Sequence, residues 1–200
     1  MQELRRALQR ADPAAVAAVY DRHLRGGANL AAVHTVVNDA ILFLCRSGQP
    51  HEAEKILEDW AAYSGRPLRP EWIRALVLAF GTAGQYAPAL RWYEQLRRAG
   101  GNGGLGDATM VAFAMAAYLG AGQTAAVHAL YSEAAAAGVA LSAAVFRPAL
   151  LAAKADRDGK LALRYFADLK RLRLPLFLDM SDALFATVLD SEGHAAATGA

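Results

Sequence analysis

The sequence predicts an all-α fold: a right-handed α-solenoid of about five antiparallel helix-turn-helix repeats. Three observations predict it. A Gly-Gln pair recurs at Gly48, Gly84 and Gly122, spaced 36 and 38 residues apart, each time after an apolar run. Apolar side chains around these points recur at intervals of three and four, which stripes one face of a helix. Alanine, the best helix former, is abundant, whereas the Val/Ile/Thr runs that strands use are scarce.

The repeat template extends backward to Ala11 and forward to Arg157 and Gly193. Five residues after each turn point stand Val16, Ala53, Ala89, Val127 and Ala162, all small. Nine after stand Tyr20, Leu57, Tyr93, Tyr131 and Phe166, all large. Twelve after stand His23, Trp60, Leu96, Ala134 and Leu169, mostly apolar. Before the turn, Ile41, Val77, Met115 and Leu150 share one column, and Leu44, Phe80, Tyr118 and Ala153 another. The units are 1–29, 30–70, 71–106, 107–142, 143–178 and a partial 179–200, read together as one domain. A helix pair of this size cannot bury its apolar face alone, so neighbouring pairs must stack to close the core.

Each element has its own justification. In the first unit, Asp12-Pro13 supplies an N-cap and a proline at the first helical position. In the second, Gly48 fits a left-handed helix end, and Pro50 restarts the next helix. The linker "SGRPLRPE" (Ser64–Glu71) then breaks the chain with two prolines. In the third, Gly84 repeats the turn, and "AGGNGGLGD" (Ala99–Asp107) is a Gly-rich linker ending in the N-cap Asp107. The fourth turns at Gly122 and ends in "GVALS", with Ser142 as the next cap. The fifth has Arg157 where the others have Gly, and "LRLPLFLD" breaks its second helix at Pro175. The partial unit is one helix ending at Gly193.

Composition narrows the function classes. Hydrophobic residues make up 55% of the 200 and charged residues 20%, which excludes a disordered chain. No apolar run reaches the ~18 residues of a membrane span. The start "MQELRRALQR" lacks the apolar region of a secretory signal; it is Arg-rich, faintly like a transit peptide, but Glu3 and the immediate helical continuation favour mature structure. The single cysteine, Cys45, excludes an internal disulfide and a cysteine zinc site, and its apolar neighbours make it a buried small hydrophobe.

No reaction announces itself. His23, His34, His51, His128 and His194 are scattered, and "HEAEK" at His51 lacks the second His of a zinc-binding H-E-x-x-H. The stretch "GGNGGLGD" lacks the Gly-Lys-Ser/Thr ending of a phosphate loop. No nucleophile motif is present. The expectation is therefore a protein without catalysis, cofactor, metal or small-molecule substrate.

The stretch "VVNDAILFLCRSGQPHEAEKILEDW" (Val36–Trp60) resembles the pentatricopeptide repeat family, as do Ile73–Gly100, Met110–Gly138 and, more degenerately, Val145–Leu172. The resemblance implies stacked two-helix repeats that bind RNA, with base-reading side chains near the fourth residue of each first helix. That column holds Asn38, Arg74, Ala112, Arg147 and Ala183. Its partner column holds Arg69, Asp107, Ser142 and Leu178, and these pairs do not form a working base code. Contacts to the RNA backbone are expected instead.

Charge points the same way. The formal net charge is +2, yet Arg66–Ala99 and Lys154–Arg173 each sum to +4, while residues 30–65 sum to −3 and 174–200 to −4. The RNA-contact candidates are Asn38, Arg74, Arg147, Arg97, Arg98, Lys170 and Arg171. The resemblance implies a subunit of an organellar ribonucleoprotein, such as a mitochondrial or chloroplast ribosome, with RNA and other proteins as partners. The alternative is a tetratricopeptide-like protein–protein adaptor with no RNA contact.

Overall fold

The computed structural model describes residues 2–10, 12–25, 30–99 and 107–198, with side chains described over 3, 6–10, 12–22, 34–98 and 107–190. Among them every regular element is a helix: α1 (Gln2–Gln9), α2 (Pro13–Arg25), α3 (Leu30–Arg46), α4 (Pro50–Ser64), α5 (Pro70–Thr82), α6 (Tyr86–Ala99), α7 (Ala108–Gly120), α8 (Thr124–Ala136), α9 (Ala143–Ala155), α10 (Gly159–Arg171) and α11 (Leu178–Thr198). No described helix is long and apolar enough to cross a membrane.

The recurring Gly-Gln pair performs two jobs at once. Gly48, Gly84 and Gly122 adopt φ of 72°, 70° and 72°, the left-handed region where a side chain is penalised. The next backbone N–H then reaches back five residues: Gln49 to Leu44, Gln85 to Phe80 and Gln123 to Tyr118, each 2.9 Å from the carbonyl. This closes the carbonyl end of the first helix. The same glutamines' carbonyls accept from Ala53 (3.2 Å), Ala89 (3.3 Å) and Val127 (3.3 Å), opening the second helix. Arg157 makes the same turn at φ 55°, with Asp158 N–H on Ala153 at 3.0 Å. The missing Gly there does not change the geometry.

Capping follows the sequence in most places. Asp107 accepts from Thr109 N–H at 2.7 Å, Asp12 from Ala15 at 3.1 Å and Asp158 from Leu161 at 2.9 Å. Ser142 precedes α9 without a side-chain cap. The turn point at Ala11 and the residues 100–106 of the Gly-rich linker lie outside the described residues.

Three expectations need correction. The helix before Pro175 ends earlier, at Arg171, because Arg173 is left-handed at φ 54° and Leu174 N–H closes on Leu169. The turn expected at Gly193 does not form, since α11 runs through it to Thr198. One interior glycine costs a helix only about 1 kcal/mol, and the alanines at 195–197 favour continuation. Cys45 is half-buried rather than fully buried, and partial burial pushes its thiol up to about 12. Sequence reading also passed over Pro148, which sits inside α9 without ending it and is buried.

Contacts group the chain into two units, Met1–Leu96 and Arg97–Ala200. In the first, α3 packs on α4 and α5, and α2 on α1, α3 and α4. In the second, α9 packs on α7, α8, α10 and α11, and α7 also on α8. The predicted columns supply these cores. Val16, Ala53, Ala89, Val127 and Ala162 are all buried, as are Ile41, Val77, Met115 and Leu150. The small volumes of the Val and Ala column fit close helix approach, while Tyr20, Leu57, Tyr93 and Tyr131, also buried, are large. Phe166 is the exception in its column, being only half-buried.

The left-handed sites make a paired test. A Cβ at Gly122 would meet nothing within 4 Å, so Gly122→Ala should destabilise by about 1 kcal/mol through backbone strain alone. Arg157→Gly should act in the opposite sense, gaining about 0.5 kcal/mol. Urea denaturation of both variants checks the two signs; equal signs would rule out this account of the turns.

Candidate nucleic-acid interface

The seven predicted contact residues fall on five helices. Asn38 lies on α3, Arg74 on α5, Arg97 and Arg98 in the last turn of α6, Arg147 on α9, and Lys170 and Arg171 in the last turn of α10. Most of them are engaged within the chain.

Asn38 illustrates how. Its side-chain oxygen accepts from the Trp72 indole N–H at 3.0 Å and from Arg69 at 3.5 Å, and its amide donates to Asp39 at 3.2 Å. Trp72 is buried, and an indole N–H out of water needs an acceptor. Asn38 supplies it, while the Arg69 guanidinium lies 5.7 Å over the same ring system. The predicted reading pair Asn38 and Arg69 is thus brought together, but around an indole. Arg74 is half-buried on α5.

The arginines follow the same logic. Arg97 donates through Nη2 to both carboxylate oxygens of Glu133 on α8, at 2.6 and 2.8 Å, a charge-assisted pair. Arg147 pairs with Asp179 of α11, and that bond holds the Asp179 carboxyl below the usual carboxylate range. Arg171 reaches Asp168 one turn back at 2.9 Å. Lys170 stands 5.6 Å over the Phe166 ring. Arg98 is exposed, and among the described residues no carboxylate pairs with it or with Lys170.

Their partners form a second set that sequence reading missed. Glu54, 14% exposed, accepts from the Trp92 indole at 2.5 Å, pairs with Arg91 and lies 3.7 Å from His51. Asp168 accepts from Tyr131 at 2.9 Å as well as from Arg171. His128 bridges Tyr165 at 2.8 Å and Asp156 at 2.9 Å through its two ring nitrogens. Tyr20 donates to the Ile56 carbonyl at 3.3 Å. Burial pushes the Tyr165 phenol up to about 12, and Tyr20 and Tyr131 are raised for the same leading reason.

These bonds share a spacing. Tyr20–Ile56, Glu54–Arg91, Arg97–Glu133, His128–Tyr165 and Tyr131–Asp168 are separated by 36 or 37 residues. Each joins an even-numbered helix to the next even-numbered one. Asn38–Trp72 and Arg147–Asp179, at 34 and 32, join odd-numbered helices likewise. The period itself was the signal that could have found the acidic partners. Among the described residues no three His, Cys, Asp or Glu side chains cluster as a metal site. No family model matches the chain, and no curated protein matches it.

Two measurements follow from this geometry. Tyr131→Phe should destabilise by about 1 kcal/mol, and the loss should shrink when Asp168→Asn is already present, in a double-mutant cycle read by denaturation. Cys45 should resist alkylation at pH 8 in the folded protein, because the raised pKa keeps it a neutral thiol, and react promptly in denaturant. Rapid labelling of the native protein would contradict that placement.

Proposed function

We propose that the chain is a right-handed α-solenoid of about five antiparallel helix-turn-helix repeats. It serves as a non-catalytic, pentatricopeptide-like scaffold that contacts RNA and other proteins. The setting is an organellar ribonucleoprotein such as a mitochondrial or, alternatively, a chloroplast ribosome. The observation that carries the reading is the one-repeat register of the interhelix bonds, together with left-handed turns at the same pitch. Near-equal spacing of turns and noncovalent cross-bonds is what stacked repeats require.

The RNA in this reading is held by its phosphates. The Asn38 carbonyl oxygen is occupied by Trp72 and Arg69, which removes it from base reading. Exposed cations at helix ends remain: Arg98 on α6, and Lys170 and Arg171 on α10. The Arg171–Asp168 pair is a one-turn surface pair with Arg171 75% exposed, so it competes weakly with a phosphate.

A protein adaptor without RNA contact is the second reading. The pairing of Arg97, Arg147 and Arg171 inside the chain favours it, because those charges then serve packing.

Anisotropy titration with a structured RNA separates the two. On the first reading Lys170→Glu with Arg171→Glu weakens binding about 10-fold at low salt and lowers the salt slope by about 2. Unchanged binding by that variant, or no binding by the wild type at low salt, would reject RNA contact through α10.

A further inference from the structure

In the second unit the first helices of successive pairs start 35 residues apart, at Ala108, Ala143 and Leu178, and α8 and α10 start at Thr124 and Gly159 with the same offset. Equivalent positions can therefore be compared directly. Met115 and Leu150 are fully buried, yet Phe185 in the same column is 64% exposed. Leu189, four residues on, is 66% exposed, and Leu178, seven before Phe185, is 79% exposed. Together they stripe α11 on one side. On α10, Leu163 occupies the column of His128 and is 50% exposed, although His128 is covered by its bond to Tyr165. The α10–α11 face is built like the faces that α8 and α9 turn toward the next helices, with apolar residues where those are packed.

The charges flanking this face are divided by helix. Lys160 and Arg164 are exposed on α10 beside Leu163, and Asp182 and Asp190 are exposed on α11 beside Phe185 and Leu189. A surface with one basic and one acidic ridge around an apolar seam is complementary to itself under a two-fold axis. Then α10 of one copy meets α11 of the other, twice. We propose that this face binds a second copy of the chain, burying Leu163, Phe185 and Leu189 at a two-fold four-helix contact. Helices of 13 and 21 residues are long enough for a face of the ~800 Å2 per copy that a specific interface needs. The inference does not depend on RNA contact, and it leaves Lys170 and Arg171 unaltered in its test.

Sedimentation equilibrium of the full chain from ~1 to ~200 μM reads it. The expected result is a shift from the 21.2 kDa monomer to twice that mass. Phe185→Glu with Leu189→Glu should remain helical by circular dichroism, since both side chains are exposed, and stay monomeric. Lys160→Glu with Arg164→Glu, and separately Asp182→Lys with Asp190→Lys, should each be monomeric alone and form a heterodimer when mixed. A monomeric wild type at the highest concentration overturns the proposal. So does a dimer that survives the Phe185/Leu189 change, a failure of the charge-reversed pair to associate, or native material in which another protein or RNA occupies the face.

Discussion

A helix of about 13 residues does not persist alone in water, because nucleation costs more than so few hydrogen bonds return. Helices α5 and α7–α10 are all this short. Each exists because its neighbours cover its apolar stripe, and coverage requires that successive helices meet in a fixed register. The turn sets that register. A left-handed residue followed by an N–H reaching back five positions allows one entry angle for the next helix, and the following carbonyl begins it without a spare residue. Val16, Ala53, Ala89, Val127 and Ala162 are all buried, where small side chains permit close helix approach.

Much of this was legible in the residues. The helical class, the turns at Gly48, Gly84 and Gly122, the turn point at Arg157 and most of the core columns follow from spacing. What spacing cannot carry is competition between weak preferences. Gly193 sits at the right interval, but nothing after it opposes a helix, so α11 continues. Pro175 breaks a helix that Arg173 has already ended. Pro148 sits inside a helix where its apolar ring is buried. Each case is a local rule overridden by its surroundings.

The interface candidates teach something different. Arg97 and Arg171 stand in basic stretches and Arg147 in the expected base-reading column, and each has a carboxylate of the same unit against it. Local charge sums are blind to the partners of Arg97 and Arg147, 36 and 32 residues away. In a periodic chain the more informative sum is taken down a column and its neighbour one period on. Glu133 one period after Arg97, and Asp168 one period after Tyr131, are visible that way. Trp72 and Trp92 make the same point for polar groups, since each buried indole finds its acceptor, Asn38 or Glu54, one period back.

Within each unit, among the described residues, no helix packs on another more than two places along the chain. Each of these contacts closes a loop of at most about one period, so mean sequence separation within a unit stays low. Chains of such low contact order reach their transition state after little loop-closure entropy has been spent, so they fold rapidly for their length. The same locality limits cooperativity: losing one pair strips cover from its immediate neighbours and from nothing beyond them. Fraying from an edge is then the natural route of opening, and amide exchange would be graded along the chain rather than uniform.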